Sequence, residues 1–287
     1  MLVVSLISTK GGVGKTTVAA NLGGFLADAG LRVLLLDLDA QPTLSSYFAL
    51  THRAADGIYE LLASNEQAVD RLASRTCIER LDLVVSNDEH GQLGTLLLHA
   101  PDGRLRLRNL LPAFAPHYDL LVIDTQGARS VMLEMAVLAS DLAVSPVTPE
   151  ILAARELRRG TLQLIEDIAP YRRLGITLPT LHLLINRVHP VSSNARLIKQ
   201  ALHQIFRDRA DVHVLANDIP AIEAYPRAAT QGLPVHRIEY RRPSGRSAPA
   251  ALDSIRSLAS ELFPQWRTRF DTVTGKAQGG LIHADRS

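Results

Sequence analysis

Five stretches of this chain are largely apolar over strand length: Leu2–Ile7, Arg32–Asp39, Tyr118–Thr125, Leu142–Pro149 and Leu178–Ile185. Runs of this kind, without polar alternation, predict parallel strands buried on both faces. Between and after them lie helix-length stretches: Val18–Ala29, Glu150–Ile168, Ser193–Phe206 and the amphipathic Leu252–Leu262. Strand–helix alternation predicts an α/β fold, a three-layer, mostly parallel twisted sheet with helices on both faces. The pattern is weaker over residues 43–118. There it predicts short helices at Gly57–Ala63 and Ala68–Ser74, a strand at Leu81–Ser86, a loop at Asn87–Gly94 and an amphipathic helix at Leu105–Phe114. A short strand is expected at Val212–Leu215 and a basic, flexible loop at Tyr240–Pro249. The expected organisation is one domain over residues 1–270 and a flexible C-terminal tail over 271–287.

The first strand runs into Ser8-Thr9-Lys10-Gly11-Gly12-Val13-Gly14-Lys15-Thr16-Thr17, and a helix follows. Strand, glycine loop, helix is the layout of a phosphate cradle. Glycines let the backbone approach a polyphosphate and turn N–H groups toward it, and the helix N-terminus adds partial positive charge. In that layout Gly11, Gly12, Val13, Gly14 and Thr17 line the phosphates. Lys15 reaches the β- and γ-phosphates, and the Thr16 hydroxyl ligates Mg²⁺. The spacing departs from G-x-x-x-x-G-K-[ST]: Thr9 stands where the first glycine belongs, and Lys10 precedes Gly11. The chain has only four lysines, and two of them are in this loop. The strand ending in Asp124 reads as the Mg²⁺-facing strand of such a site, its acid acting beside Thr16.

Charge is unevenly distributed. Residues 1–150 carry 11 Lys+Arg against 17 Asp+Glu (−6), and residues 151–287 carry 20 against 12 (+8), for a net charge of +2. The basic half suits a polyanionic partner, or simply a solvated arginine-rich surface. One cysteine, Cys77, excludes an internal disulfide or a multi-thiolate cluster, and it is expected to be half-buried. The N-terminus reads as a core strand without a basic signal-peptide region, and no apolar run approaches membrane-spanning length. The expected compartment is the cytoplasm.

Lys-Gly-Gly-x-Gly-Lys-Thr-Thr resembles the deviant Walker A loop of the ParA/MinD partition and positioning ATPases. The resemblance spans roughly residues 1–265 and is weakest over 50–115. It implies an ATP- and Mg²⁺-dependent ATPase, slow and partner-stimulated, in which Lys10 reaches the partner's ATP across a nucleotide-sandwich homodimer. Asp39-Ala40-Gln41-Pro42 is similar to the family's D-x-D-P-Q segment. This implies that Asp39 lies by the γ-phosphate and metal and positions the attacking water, while Asp37 is structural or supports the metal indirectly. Asp39 read without the family is a helix N-cap. After Asp124-Thr125 the family has prolines where this chain has Gln126-Gly127. Asn186, ahead of Arg187, is implied as the adenine reader, with a turn-capping asparagine as the competing reading. Ile219 and Pro220 pack near the base by the same resemblance. A ParA-like member binds non-specific DNA through basic residues of its C-terminal half, here Arg187, Arg196, Lys199, Arg227, Arg241 and Arg242 by charge and region. It answers to a ParB-like adaptor and associates with the nucleoid. Because the chain begins at the first strand, the N-terminal helix-turn-helix extension of larger relatives is not expected. A MinD-like membrane-positioning ATPase and a metabolic P-loop enzyme are the alternatives; no stable membrane association is expected, because Leu252–Leu262 lies far from the C-terminus.

Overall fold

The computed structural model describes residues 1–150, 156–189 and 193–274. Among them are ten strands: β1 (Leu2–Leu6), β2 (Val33–Asp37), β3 (Leu50–His52), β4 (Ser74–Thr76), β5 (Leu81–Val84), β6 (Leu120–Asp124), β7 (Leu142–Val147), β8 (Thr180–Val188), β9 (Val212–Val214) and β10 (Ile219–Pro220). They form one sheet in the order β10-β8-β7-β1-β6-β2-β5-β4-β3, with β9 also paired to β8. Every pairing from β10 to β5 is parallel, and β5-β4-β3 is an antiparallel extension at one edge. The expected fold class is the observed one.

The buried strands feed two faces by simple alternation. Val33 and Leu35 of β2 join one core and Leu34 and Leu36 the other; Leu120 and Val122 of β6 separate from Leu121 and Ile123 in the same way. Helices Lys15–Asp28, Ala224–Gln231 and Ala251–Leu262 cover the first face. Helices Ile58–Ala63, Gln92–His99, Arg106–Leu110 and Val131–Leu138 cover the second, and Gln163–Ile168 and Ser193–Phe206 extend that cover over β7 and β8. Helix Lys15–Asp28 is buried nearly all round, and its Gly23 and Gly24 allow it to touch Leu35 and Pro234 at once: an added Cβ would stand 2.7 Å from Leu35 and 2.5 Å from Pro234.

Strands after β1 fall first on one side of it (β2, β5, β6) and then on the other (β7, β8, β10). A crevice therefore opens at the C-terminal end of β1, where sheets of this type bind ligands.

Several local expectations need correction. The first helix starts at Lys15, not Val18. The expected helix Ala68–Ser74 shortens to Val69–Leu72 because Ser74 enters β4, where its hydroxyl accepts the Ala54 N–H. The expected loop Asn87–Gly94 gives way to helix Gln92–His99, whose first turn is held by Asp88 accepting the Gln92 and Leu93 N–H groups. The expected strand Leu178–Ile185 is Thr180–Val188, with Asn186 and Arg187 near its C-terminal end as expected. Cys77 is exposed, not half-buried. The expected long helix from Glu150 has its residues 151–155 outside the described residues. Its described part carries a π-turn at Arg158–Leu162 before Gln163–Ile168. The expected tail, 271–287, lies outside them from residue 275 on; at its start Val273 is buried and its carbonyl accepts Arg256, so the first residues of that stretch are packed.

Candidate active site

The loop between β1 and the first helix bends through two left-handed glycines, Gly12 (φ 74°) and Gly14 (φ 94°), a region open to glycine without strain. Gly14 is the helix N-cap and accepts the Val18 N–H, but it brings no side chain to the other first-turn N–H groups, and no acid occupies that turn. The helix start is thus a positive end turned to the crevice.

Three carboxylates face it from the strand ends. Asp124 closes β6 opposite Asp37 of β2. It is fully buried; one oxygen accepts the Thr125 N–H and the other has no hydrogen-bond partner among the described residues. Burial pushes its carboxyl up to about 7, with Asp37 and Asp39 adding to the rise and the Thr16 hydroxyl and Lys15 opposing it. Lys15 is itself buried, and desolvation lowers its ammonium while Asp124 and Asp39 hold it up. Asp37 is pushed up to about 6, mainly by burial. It is saturated: Ser45 donates through N–H and hydroxyl (both 2.7 Å), and the Asp39 N–H donates at 3.2 Å. Its place is structural. It pins the segment that carries Asp39, and Ser86 finishes the pinning by donating to the Asp39 carbonyl (2.7 Å). Asp39 is half-exposed and accepts the Gln41 N–H at 3.0 Å, a local side-chain turn; no helix starts there among the described residues, so it is not the helix N-cap of the simpler reading. An orphaned buried carboxylate oxygen near a threonine hydroxyl, with a second acid close by, is a donor set suited to a hard, oxygen-seeking dication.

The outer half of the loop is held differently. The Thr9 N–H meets the Thr161 hydroxyl at 3.4 Å, and Gly160 of the π-turn leaves room for the Thr9 side chain, which a Cβ there would strike. Lys10 pairs with Glu156 at 2.8 Å and with Glu150 at 3.8 Å, contacts that raise its pKa. The segment after Asp124 closes on this loop. Thr125 donates to the Leu6 carbonyl (2.7 Å), and Gly127 backs onto Gly11, where an added Cβ would stand 2.5 Å from the Gly11 Cα. Arg129 is tied to Asp167 (2.6 Å) and Glu134 (3.5 Å).

Beyond Gly14 and Thr17 a cavity of about 500 Å³ runs between Asn186, Arg187, Ile219 and Pro220 to Tyr225. The structure therefore brings the base-side residues of the sequence reading together with the loop. It does not gather the basic candidates in the same way. Arg196, Arg227, Arg241 and Arg242 are exposed on three separate elements, and Arg241 lies over the Tyr240 ring at 5.7 Å. Lys199 is neutralised by Asp218 (2.7 Å) and is not a free cation. Glu156, Thr161, Ser45 and Ser86 were missed in the sequence. Each acts through a fold contact, and the local pattern carried no signal for any of them.

Residues 1–174 match the AAA domain family (AAA_31). The chain is 26% identical over 261 residues to the sporulation initiation inhibitor protein Soj of Bacillus subtilis, covering 90% of this chain and 98% of Soj. It is 29% identical over 199 residues to the chromosome partitioning protein ParA of Myxococcus xanthus, covering 68% and 70%. Among solved structures, a cobyrinic acid a,c-diamide synthase from Mycobacterium smegmatis with bound ATP analogue and magnesium superposes with a TM-score of 0.71 at 25% identity, covering 93% of this chain and 96% of that one. The loop, the acids facing it and these likenesses agree: the chain belongs to the AAA domain family, as a P-loop ATPase of the ParA/MinD partition group.

Proposed function

We propose that the protein is an ATP-driven DNA-segregation switch: it dimerises on ATP, holds non-specific DNA, and is released when an adaptor of ParB type stimulates hydrolysis. The observation that carries this is the division of labour in one loop. Lys15 is buried beside Asp124 and Asp39 and the half-buried Thr16 turns its hydroxyl to Asp124, while Lys10 is half-exposed on an ion pair with Glu156. Gly11, Gly12, Gly14 and the helix start hold the phosphates, Lys15 neutralises them, and Asp39 orients water. Mg²⁺ held by Thr16 and Asp124, with Asp39 nearby, supplies further charge neutralisation on the transferring phosphate. Phosphoryl transfer asks mainly for positioning and charge neutralisation, so this set is chemically sufficient. Lys10, leaving Glu156 for a partner's ATP, makes nucleotide binding and dimerisation one equilibrium. Exposed Arg187, Arg196, Arg227, Arg241 and Arg242 are the candidate DNA contacts, binding phosphates in a salt-dependent way.

The test is retardation of random-sequence DNA. Protein with magnesium and a non-hydrolysable ATP analogue should shift it, and ADP-loaded protein should not; equal shifts refute the switch. The membrane alternative finds little support: Leu252, Ile255, Leu258 and Leu262 of helix Ala251–Leu262 are committed to the core, and no helix among the described residues is long and apolar enough to cross a membrane. A metabolic P-loop enzyme keeps one point in its favour, the likeness to the cobyrinic acid a,c-diamide synthase structure. ATP turnover that rises with DNA and adaptor separates the two.

A further inference from the structure

Both peptide groups of Asp39 are held. Its N–H donates to Asp37 Oδ1 at 3.2 Å, and its carbonyl accepts the Ser86 hydroxyl at 2.7 Å. Ser45 closes a ring between the two holders: its hydroxyl donates to Asp37 Oδ2 at 2.7 Å and accepts the Ser86 N–H at 2.9 Å. Ser86 arrives from 47 residues away in the chain, and the sheet brings it there. Strands β2 and β5 run parallel with Leu36 opposite Val84, so the segments leaving their C-terminal ends lie side by side. The neighbours of Ser86 are tied in turn to helix Ile58–Ala63. The Val85 carbonyl accepts the Ile58 N–H (2.9 Å), and Asn87 accepts the Tyr59 N–H (2.8 Å) and donates to Glu60 (2.7 Å). The Asp39 carboxylate accepts the Gln41 N–H of its own turn, a bond that travels with the segment. Its direction is therefore set by the peptide that carries it.

We infer that Ser86 is a positioning residue for hydrolysis: its hydroxyl fixes the Asp39 peptide, and through it the carboxylate that orients the attacking water. This rests on the reading of Asp39 as the residue that orients water. Without the hydroxyl, the carbonyl end of the peptide loses its anchor while Asp37 still holds the N–H end, so the carboxylate gains a swing. Misplacing a reacting group by about 1 Å can cost about 100-fold in rate. The two bonds of Ser86 go to Ser45 and Asp39, not to the phosphate loop or to the walls of the cavity beyond Gly14. Loss of the hydroxyl should therefore slow the chemical step and spare nucleotide binding.

Hydrolysis and binding are read separately. Single-turnover hydrolysis of ATP with magnesium, and calorimetric affinity for a non-hydrolysable ATP analogue, are measured for the wild type, Ser86→Ala, Ser86→Cys and Ser86→Thr. The same rate is measured for Asp39→Ala with and without Ser86→Ala. Ser86→Cys keeps a side chain of similar reach with a weak donor, and it carries the test should Ser86→Ala fail to fold. A positioning role slows hydrolysis about tenfold in Ser86→Ala and Ser86→Cys, the scale of one lost hydrogen bond. Ser86→Thr, which keeps the hydroxyl, stays within about threefold of the wild-type rate, and analogue affinity stays within about twofold throughout. In the Asp39→Ala background, Ser86→Ala changes the rate by less than about twofold, because the group it positions is gone. A wild-type rate in Ser86→Ala overturns the inference. An equal loss of rate and analogue affinity in all three variants, Ser86→Thr included, makes the residue a support of the fold and overturns it too. So does a further loss of about tenfold in the Asp39→Ala background, since Ser86 then acts through something else. A wild-type rate in Asp39→Ala alone removes the reading of Asp39 itself, a result seen with Ser86 unchanged and so distinct from the others.

Discussion

The two ends of helix Lys15–Asp28 are built on opposite plans. At the N-terminal end Gly14 supplies no capping side chain, Lys15 and Thr16 face the acids, and one oxygen of Asp124 lacks a partner among the described residues. At the C-terminal end the acid of the helix is fully paired. Asp28 accepts two bonds from Arg237 (2.7 and 2.6 Å) and one from His236 Nε2 (2.7 Å). An acid at the end of a helix opposes the macrodipole, and two basic neighbours offset that. Burial alone would raise the Asp28 carboxyl, but the bonds from His236 and Arg237 hold it below the usual range. Between the ends, Asn21 is consumed by the Thr17 carbonyl, the Tyr47 hydroxyl and the Val235 N–H. One end is left incomplete for a ligand; the other fastens the helix to the C-terminal third of the chain. Substitutions at the first should change binding and leave stability alone, and substitutions at the second should do the reverse.

The largest effect is expected from Lys15→Ala, which should weaken ATP affinity by about 100-fold or more, the scale of a lost charge-assisted phosphate contact in a dry site. Its melting temperature should stay close to that of the wild type; calorimetry and circular dichroism read both, and a collapse in melting temperature would break the contrast between the two ends. Lys10→Ala comes next. Monomer affinity for ATP should be kept while dimers formed with a non-hydrolysable analogue vanish from light scattering at micromolar protein. Asp28→Asn should cost about 2–4 kcal/mol of stability, since it leaves Arg237 half-buried without its counter-charge. The reading is a melting temperature lower by roughly 5–10 °C, with ATP affinity unchanged within about twofold. A loss of ATP affinity as large as that of Lys15→Ala would mean that the two ends are not independent.

The same division explains what the sequence disclosed. The ligand end is local: Gly12, Gly14, Lys15 and Thr16 are neighbours in the chain and Asp124 ends an apolar run, so loop spacing and strand pattern pointed to them, whereas the role of Asp39, two residues beyond β2, was implied by the family resemblance. The fastened end joins Asp28 to residues more than 200 positions away, and nothing in the local pattern around Asp28 or His236 signals the pairing. Asp37 is intermediate: its strand was plain, but its saturation by Ser45 depends on how the following segment folds back. The edge strands β3 and β4 were missed because three residues cannot display a period. The first helix was placed three residues late because glycines hide a helix start that only the loop geometry reveals.

The smallest effect concerns pH and the fastened end alone. His236 is fully buried, packed edge-on against Phe25, with Nε2 on Asp28 and with an Nδ1 that has no partner among the described residues. Desolvation lowers its pKa most; Asp28 raises it, while Arg237 on its own segment and Arg256 on the neighbouring helix lower it further. A second ring proton would sit on Nδ1 with no acceptor to receive it. The native state therefore takes up its proton at lower pH than the unfolded chain, whose histidine titrates near 6.5. Below that value the unfolded state binds more protons, so stability is lost as pH falls from about 6.5 toward the depressed native pKa and is retained above it. The histidine contributes a downward slope in melting temperature between about pH 7 and pH 5.5, against an opposite slope from Asp124 and Asp37, whose raised carboxyls (about 7 and about 6) favour the native state as pH falls. His236→Gln, which can still donate to Asp28 and does not titrate, should remove the histidine's slope, and ATP affinity at the far end of the helix should not follow it. An equal slope in both proteins would place the acid sensitivity elsewhere and remove the histidine from the fastening.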